Sequence, residues 1–312
     1  MQVNLTQAIS LLKRGEVVAI PTETVYGLAA DASNDKALRQ IYAIKQRPVD
    51  NPLIVHIADS NQVLDFAAEF SPLAQKLASA FWPGPFTLVL PAKESVSTIV
   101  RGNQPTVALR VPSHPVTLQL LKESGLALAA PSANKFTQLS PTTAAHVTAG
   151  LGESVPVLDG GACKVGIEST IVSVEGDDWQ LLRLGMVPEA NIYEAAGRLA
   201  LKTNLSLPKA PGQHLLHYSP RTPIKLFPSR EDLNGFAVSQ DNCAALVFGE
   251  GALPNCPYFS LPNRPDEAAE RLYDTLHQMD TLKANLLLVE TPPNSPEWFA
   301  IADRLTRAAH AN

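Results

Sequence analysis

Apolar positions along the chain change period from one stretch to the next, and each change predicts an element. Residues Leu5 to Arg14 carry Ala8, Ile9 and Leu12 at helical spacing, Gly15 ends them, and Val17 to Pro21 then reads as an apolar strand. Ser33, Asn34 and Asp35 offer N-cap chemistry ahead of Leu38, Ile41 and Tyr42, and Pro48 stops that helix so that Lys45 and Arg47 leave its end. Period-two alternation follows over Leu53 to Ala58, with Ile54 and His56 on one face and Leu53, Val55 and Ile57 on the other. The same alternation from Thr106 separates Val107, Leu109 and Val111 from Thr106, Ala108 and Arg110. Between these strands, Ser71-Pro72 opens a helix bearing Leu73, Leu77 and Phe81, Trp82 to Pro85 stops it, and Phe86 to Leu90 is again a strand.

Downstream, an apolar strand ends at Pro131, and Ser140-Pro141 has the form of an N-cap followed by proline at the first helical position. The run from Val155 to Val174 predicts two strands around a glycine-bearing loop, Gly160, Gly161 and Gly166. Gln180 to Leu184 predicts a strand with Leu182 and Leu184 on one face and Arg183 on the other, and Pro188 to Ala200 a closing helix. Residues 201–223 have the proline-rich, loosely patterned composition of a linker. Beyond them, IKLF, AALVF and NLLLVE alternate with helices over Asp266 to Met279 and Pro296 to His310, the pattern of a small parallel α/β layer. The predicted organisation is a first domain over 1–200, a linker over 201–223 and a second domain over 224–312.

Composition narrows this picture. At 312 residues the chain exceeds a single ordinary core, which supports two domains. Hydrophobic residues at 45% and charged ones at 18% describe a soluble globular protein, and no run is long and apolar enough for a membrane helix. The first residues lack the blocks of a signal peptide, which predicts cytoplasmic residence and no membrane partner. Cys163, Cys243 and Cys256 lie in no metal-ligand spacing, so no disulfide or zinc is expected. A net charge of -5 argues against broad adhesion to nucleic acid.

The candidate chemistry is cationic. Lys45 and Arg47 alone need no ligand, since cations in a last helical turn contribute about 0.3–1 kcal/mol through the dipole. An arginine in mid-strand is different: Arg110 is costly to bury unless an acidic side chain or an anionic ligand meets it. Ser132 and Asn134 present short polar side chains after a strand end, and a fresh helix N-terminus at Ser140 would attract phosphate. Glu168, Ser169 and Thr170 close the glycine-bearing loop, and Arg183 adds a further cation. No Ser-His-Asp order and no H-E-x-x-H is seen. The inventory suits nucleotidyl transfer, in which the substrate supplies the nucleophile and the protein supplies position and charge.

The K-x-R of Lys45 and Arg47, the S-x-N of Ser132 and Asn134 and the PTETVYGL of residues 21–28 together resemble the YrdC-like family of L-threonylcarbamoyladenylate synthases. PGQHLLHYSPRTP, residues 211–223, resembles the linker of the family's long, two-domain members. The resemblance implies a twisted mixed-sheet α/β N-terminal domain with helices around a concave site, and a small Rossmann-like α/β C-terminal domain. It implies synthesis of threonylcarbamoyl-AMP and diphosphate from L-threonine, bicarbonate and ATP, with Mg²⁺ accompanying ATP and no organic cofactor. The product would serve tRNA adenosine modification beside the anticodon through downstream transferase proteins. By motif, Thr24, His56, Arg110, Ala130, Ser169 and Thr170 match threonine-site positions. Arg47, Asn51, Thr106, Ser132, Ser140, Arg183 and Tyr218 match nucleotide-site positions, and Lys45 and Asn134 complete the catalytic signature. Two alternatives stand beside this: a non-catalytic module binding tRNA or double-stranded RNA, and an enzyme making another carbamoyl-type adenylate. The C-terminal domain, which has no catalytic cluster in its sequence, is expected to have a structural, gating or partner role.

Overall fold

The computed structural model describes residues 1–200, 218–252 and 254–310. The predicted linker thus lies outside the described residues as far as residue 217. Ten strands form the first sheet: β1 (Gln2–Val3), β2 (Val18–Ile20), β3 (Gly27–Asp31), β4 (Ile54–His56), β5 (Phe86–Pro91), β6 (Thr106–Arg110), β7 (Leu128–Ala129), β8 (Val157–Leu158), β9 (Thr170–Glu175) and β10 (Asp178–Arg183). Their order is β1-β8-β2-β3-β7-β4-β6-β5-β9-β10, with parallel and antiparallel neighbours mixed. A second, four-stranded sheet contains β11 (Ile224–Phe227), β12 (Cys243–Phe248), β13 (Tyr258–Leu261) and β14 (Leu286–Glu290). It is wholly parallel in the order β11-β14-β12-β13. No helix among the described residues is long and apolar enough to cross a membrane.

The alternation read in the sequence decides which side of the first sheet is core. Val55, Leu88, Leu109 and Val172 point to one face, against helices Asp35–Lys45, Pro72–Phe81 and Glu189–Ala196. The opposite face is covered at one end by helices Leu5–Lys13 and Pro115–Ser124. Further along that face, Ile54, Val89, Ala108, Ile171 and Leu182 form a small apolar floor. The second sheet packs on helix Arg230–Ala237 with one face and on helices Pro265–Thr281 and Phe299–Ala309 with the other. Those two helices also meet Val25, Leu139 and Ile167 from the first sheet's loops, so a single apolar cluster joins both halves of the chain.

Local capping chemistry follows the sequence closely. Asn34 accepts from Lys36 and Ala37 N–H groups, Ser71 accepts from Ala74, and Gln46 ends its helix in the left-handed region. Three expectations change. Ser140-Pro141 opens no helix: the next helix is Ala144–Leu151, capped by Thr143, whose Oγ1 accepts from His146 N at 3.2 Å. The carbonyls of Pro141 and Thr142 are instead taken by Tyr26 N and Cys163 N, which holds that segment extended. Arg183 does not oppose Leu182, because a register shift between Leu181 and Arg183 turns both toward the apolar-floor side of the sheet. Strands β1, β3 and β13 and helices Val63–Phe66, Pro115–Ser124 and Arg230–Ala237 have no counterpart among the elements read from the sequence; β1 has two residues, and β13 is an edge strand with two exposed positions. All three cysteines are free.

Candidate functional site

The parallel register of β4 on β6 sets His56 directly beside Arg110, and Ile54 beside Ala108, on the floor of a cleft. Arg110 is buried and partnered by the first loop: Nη2 reaches Glu23 Oε1 at 2.5 Å, Nη1 donates to Thr24 Oγ1 at 3.0 Å and Nε to the Gly84 carbonyl at 3.1 Å. Glu23 is therefore the counter-charge that the mid-strand arginine required. Burial alone would raise its carboxyl, but Arg110 holds it below the ordinary value. A guanidinium has five N–H groups, so one on each terminal nitrogen is left for a ligand carboxylate. His56 is pushed down to about 3 by burial and by the neighbouring Arg110 charge, which makes it a neutral imidazole. Its Nδ1 has no hydrogen-bond partner among the described residues.

A second cationic group faces the same cleft. Arg47 is anchored by Pro52 O at 3.0 Å and Asn51 O at 3.4 Å, with burial lowering it to about 10, so it stays charged at neutral pH. Arg183 donates to Ser169 O and Ser169 Oγ, both at 3.0 Å, and Ser169 Oγ lies 2.8 Å from Thr87 Oγ1. Near Arg183 sits Glu168, whose Oε1 accepts from Ser140 Oγ at 2.6 Å and whose Oε2 accepts from Arg304 Nε at 2.8 Å. Burial favours its neutral form, yet Arg304, Arg183 and the Ser140 hydroxyl hold it at about 2.

The structure brings Thr24, Arg47, His56, Arg110 and Ala130 to the cleft wall together with Ser132, Ser169, Arg183 and Tyr218. Lys45, Asn134 and Ser140 stand behind that wall. Lys45 Nζ donates to the Ser132 and Asn134 carbonyls at 2.5 and 2.6 Å, which ties the end of helix Asp35–Lys45 to the S-x-N loop. Asn134 spends its side-chain amide on the Lys135 and Gln138 carbonyls, closing the same loop. Thr170 begins β9 and exchanges hydrogen bonds with Val187. Asn51 meets Arg47 through its carbonyl, and Thr106 is half-buried at the far end of β6, paired with Pro91; neither lines the cleft.

Reading the sequence missed three contributors. Glu23 lay inside a quoted motif, and the burial cost of Arg110 was a signal for it. Tyr273 and Arg304 had no local signal: Tyr273 Oη donates to Glu168 Oε2 at 3.0 Å across 105 positions, and Arg304 reaches it across 136. The C-terminal half therefore places charge directly behind the cleft.

An apolar floor, a carboxylate-ready arginine beside a neutral histidine and a second pair of arginines define an anion-binding cleft of the kind that phosphoryl chemistry uses. Residues 10–185 match the Sua5_yciO_yrdC family, described as telomere recombination, and residues 183–310 match the threonylcarbamoyl-AMP synthase C-terminal domain. The chain is 38% identical to a threonylcarbamoyl-AMP synthase of Bacillus subtilis, over 98% of this chain and 92% of that one. It is 34% identical to another from Pyrococcus abyssi, over 97% and 93%. Its fold superposes on the crystal structure of P. abyssi Sua5 complexed with L-threonine with a TM-score of 0.91, at 32% identity over 99% of this chain and 98% of that one. The chain belongs to the long, two-domain Sua5 family of threonylcarbamoyl-AMP synthases, and is an enzyme of the nucleotidyltransferase type.

Proposed function

We propose that the cleft makes threonylcarbamoyl-AMP and pyrophosphate from L-threonine, bicarbonate and ATP. The observation that carries this is the pairing of His56 with Arg110 on the floor of a cleft that Arg47 and Arg183 also line. The two clusters suit an amino acid at one end and a triphosphate at the other. The full-length match to a threonine-bound relative supports that division. The free N–H groups of Arg110 take the threonine carboxylate, with Thr24 beside it. The neutral imidazole of His56 accepts or donates one hydrogen bond without adding charge, and the Ala130 backbone and Ser169 bound the pocket, with Thr170 holding the start of β9 behind Ser169.

The threonine amine adds to bicarbonate with loss of water, giving a carbamate. One carbamate oxygen then attacks the α-phosphorus of ATP, the bond from that phosphorus to the β-bridging oxygen breaks, and pyrophosphate leaves with its charge. Arg47 and Arg183, with the Ser132 hydroxyl, stabilise the charge that builds on the phosphate oxygens. Tyr218 completes the nucleotide side, while Lys45 and Asn134 act on it by holding the loop that presents Ser132, Asn51 by anchoring Arg47 through its carbonyl and Ser140 by bonding Glu168; Thr106, at the far end of β6, takes no part. Mg²⁺ enters as MgATP. Its charge would be met chiefly by the phosphate oxygens it accompanies. The product is a reactive mixed anhydride for transferase proteins that modify a tRNA adenosine in the cytoplasm.

The test is pyrophosphate release from MgATP with each amino acid in turn, with and without bicarbonate. Release should require threonine and bicarbonate together, with serine slower by about 10–200-fold for one missing methyl group. Equal rates with serine, or with bicarbonate removed, would sink the proposal.

A further inference from the structure

Glu168 is the one carboxylate among the described residues lining a cleft that also holds Arg47, Arg110 and Arg183. A nucleotide triphosphate entering there meets a buried negative charge, and the protein answers it from the far side. Arg304, 1% exposed on helix Phe299–Ala309, donates from Nε to Glu168 Oε2 at 2.8 Å and from Nη2 to the Leu184 carbonyl at 2.8 Å. Its guanidinium carbon lies 5.0 Å from the centre of the Tyr218 ring. Tyr218 itself holds a backbone φ of +64°, a conformation unfavourable for a bulky residue and sustained here by packing on both halves of the chain. One side chain outside the cleft therefore braces two members of its wall.

The remaining bonds of Glu168 point the same way. Ser140 Oγ donates to Oε1 at 2.6 Å, and Tyr273 Oη lies 3.3 Å from Oε1 and 3.0 Å from Oε2. With both oxygens engaged, the carboxylate acts as a fixed strut, and its orientation sets that of the Ser140 hydroxyl. The charged and titratable groups that face it are Arg304, Tyr273, Arg183, Tyr218 and Lys45.

We infer that Arg304 is a positioning residue of the nucleotide site, which neutralises Glu168 from behind and so fixes Glu168 and Tyr218 in the wall that faces the nucleotide. This deepens the function proposed above and rests on the cleft being the ATP site. The C-terminal half is then a required wall of the site, contributing charge as well as shape. Without Arg304, the buried Glu168 loses its strongest opposing charge and its carboxyl titrates at a higher pH. Above that pH the cleft presents an unbalanced anion to ATP; below it, the protonated carboxyl is neutral and the repulsion is gone.

The full-length chain is compared as wild type, Arg304→Met, Arg304→Lys, Glu168→Gln and the double variant Arg304→Met with Glu168→Gln. The affinity for MgATP is measured by calorimetry from pH 6 to 9, each variant taken as a ratio to wild type so that titration of ATP cancels, and KM is measured for ATP and threonine separately. Arg304→Met should weaken ATP binding by about tenfold or more at pH 8.5, the size of one lost charged hydrogen-bond partner, with the deficit shrinking as pH falls. The KM for threonine should stay close to wild type, Arg304→Lys should keep part of the affinity, and adding Glu168→Gln to Arg304→Met should recover most of it. The double variant also guards against misfolding, because it removes both members of the buried Glu168–Arg304 pair and leaves neither without the other. A loss that is equal for ATP and threonine, independent of pH and not recovered by Glu168→Gln would reduce Arg304 to a packing residue and overturn the inference alone. Failure of the wild-type chain to bind ATP would overturn the inference and the proposed function together.

Discussion

Replacing Lys45 by methionine separates two roles that the K-x-R motif leaves merged. Lys45 is 1% exposed, and its ammonium spans the Ser132 and Asn134 carbonyls, so its visible work is to hold the S-x-N loop against the end of helix Asp35–Lys45. Removing the ammonium strands two buried carbonyls, each worth about 1.5–3 kcal/mol when its charged partner is lost. Part of that is returned, because methionine fills similar space and carries no charge to desolvate. Burial and the nearby Arg47 already push the Lys45 ammonium well below its usual range, which measures that desolvation. The net expectation is a loss of about 2–4 kcal/mol, or roughly 5–10 °C in the thermal midpoint for a chain of this size. Turnover should fall by about 100-fold even in the folded protein, since a loop released by about 1 Å misplaces Ser132. Circular dichroism melting and pyrophosphate release read the two effects separately. A variant that melts like wild type but has lost activity would refute the strut, and would mean that the ammonium acts on the substrate itself.

Two further predictions concern the join between the halves and the acid side of the stability curve. Gly166 has a φ of +80°, and a Cβ there would lie 2.2 Å from the Ala269 carbonyl oxygen, so Gly166→Ala should push helix Pro265–Thr281 away and lower the thermal midpoint; an unchanged midpoint, or unchanged amide exchange in that helix, would count against this close approach. His56, held down to about 3, stays neutral when folded but takes up a proton below about pH 6.5 when unfolded, so wild-type stability should fall between pH 6.5 and 3 by up to about 1.4 kcal/mol per unit from this group. His56→Gln should flatten urea midpoints over that window, leaving the contributions of His146, held down to about 4, and of His114 and His277, both lowered by burial; parallel slopes for the two proteins would refute the assignment.

Local steric and hydrogen-bonding rules determined much of this protein from sequence alone. Period-two alternation assigned Ile54, His56, Ala108 and Arg110 to the site side and Val55, Val107 and Leu109 to the core, because successive strand side chains must alternate. Asn34 and Ser71 capped helices as read, and Pro48 lies just beyond the helix end it was read to enforce. The cost of burying Arg110 required an anionic partner, without naming one. Tertiary structure made the choices that depend on distant residues: the register that pairs His56 with Arg110, the selection of Glu23, the irregularity that turns Arg183 toward the cleft, and the extended path that sends Ser140 to Glu168 instead of into a helix. Tyr273 and Arg304 belong wholly to that second group. Nothing within a few residues of either distinguishes it from an ordinary position on an amphipathic helix, and each acquires its role only when packing closes a separation of more than a hundred residues.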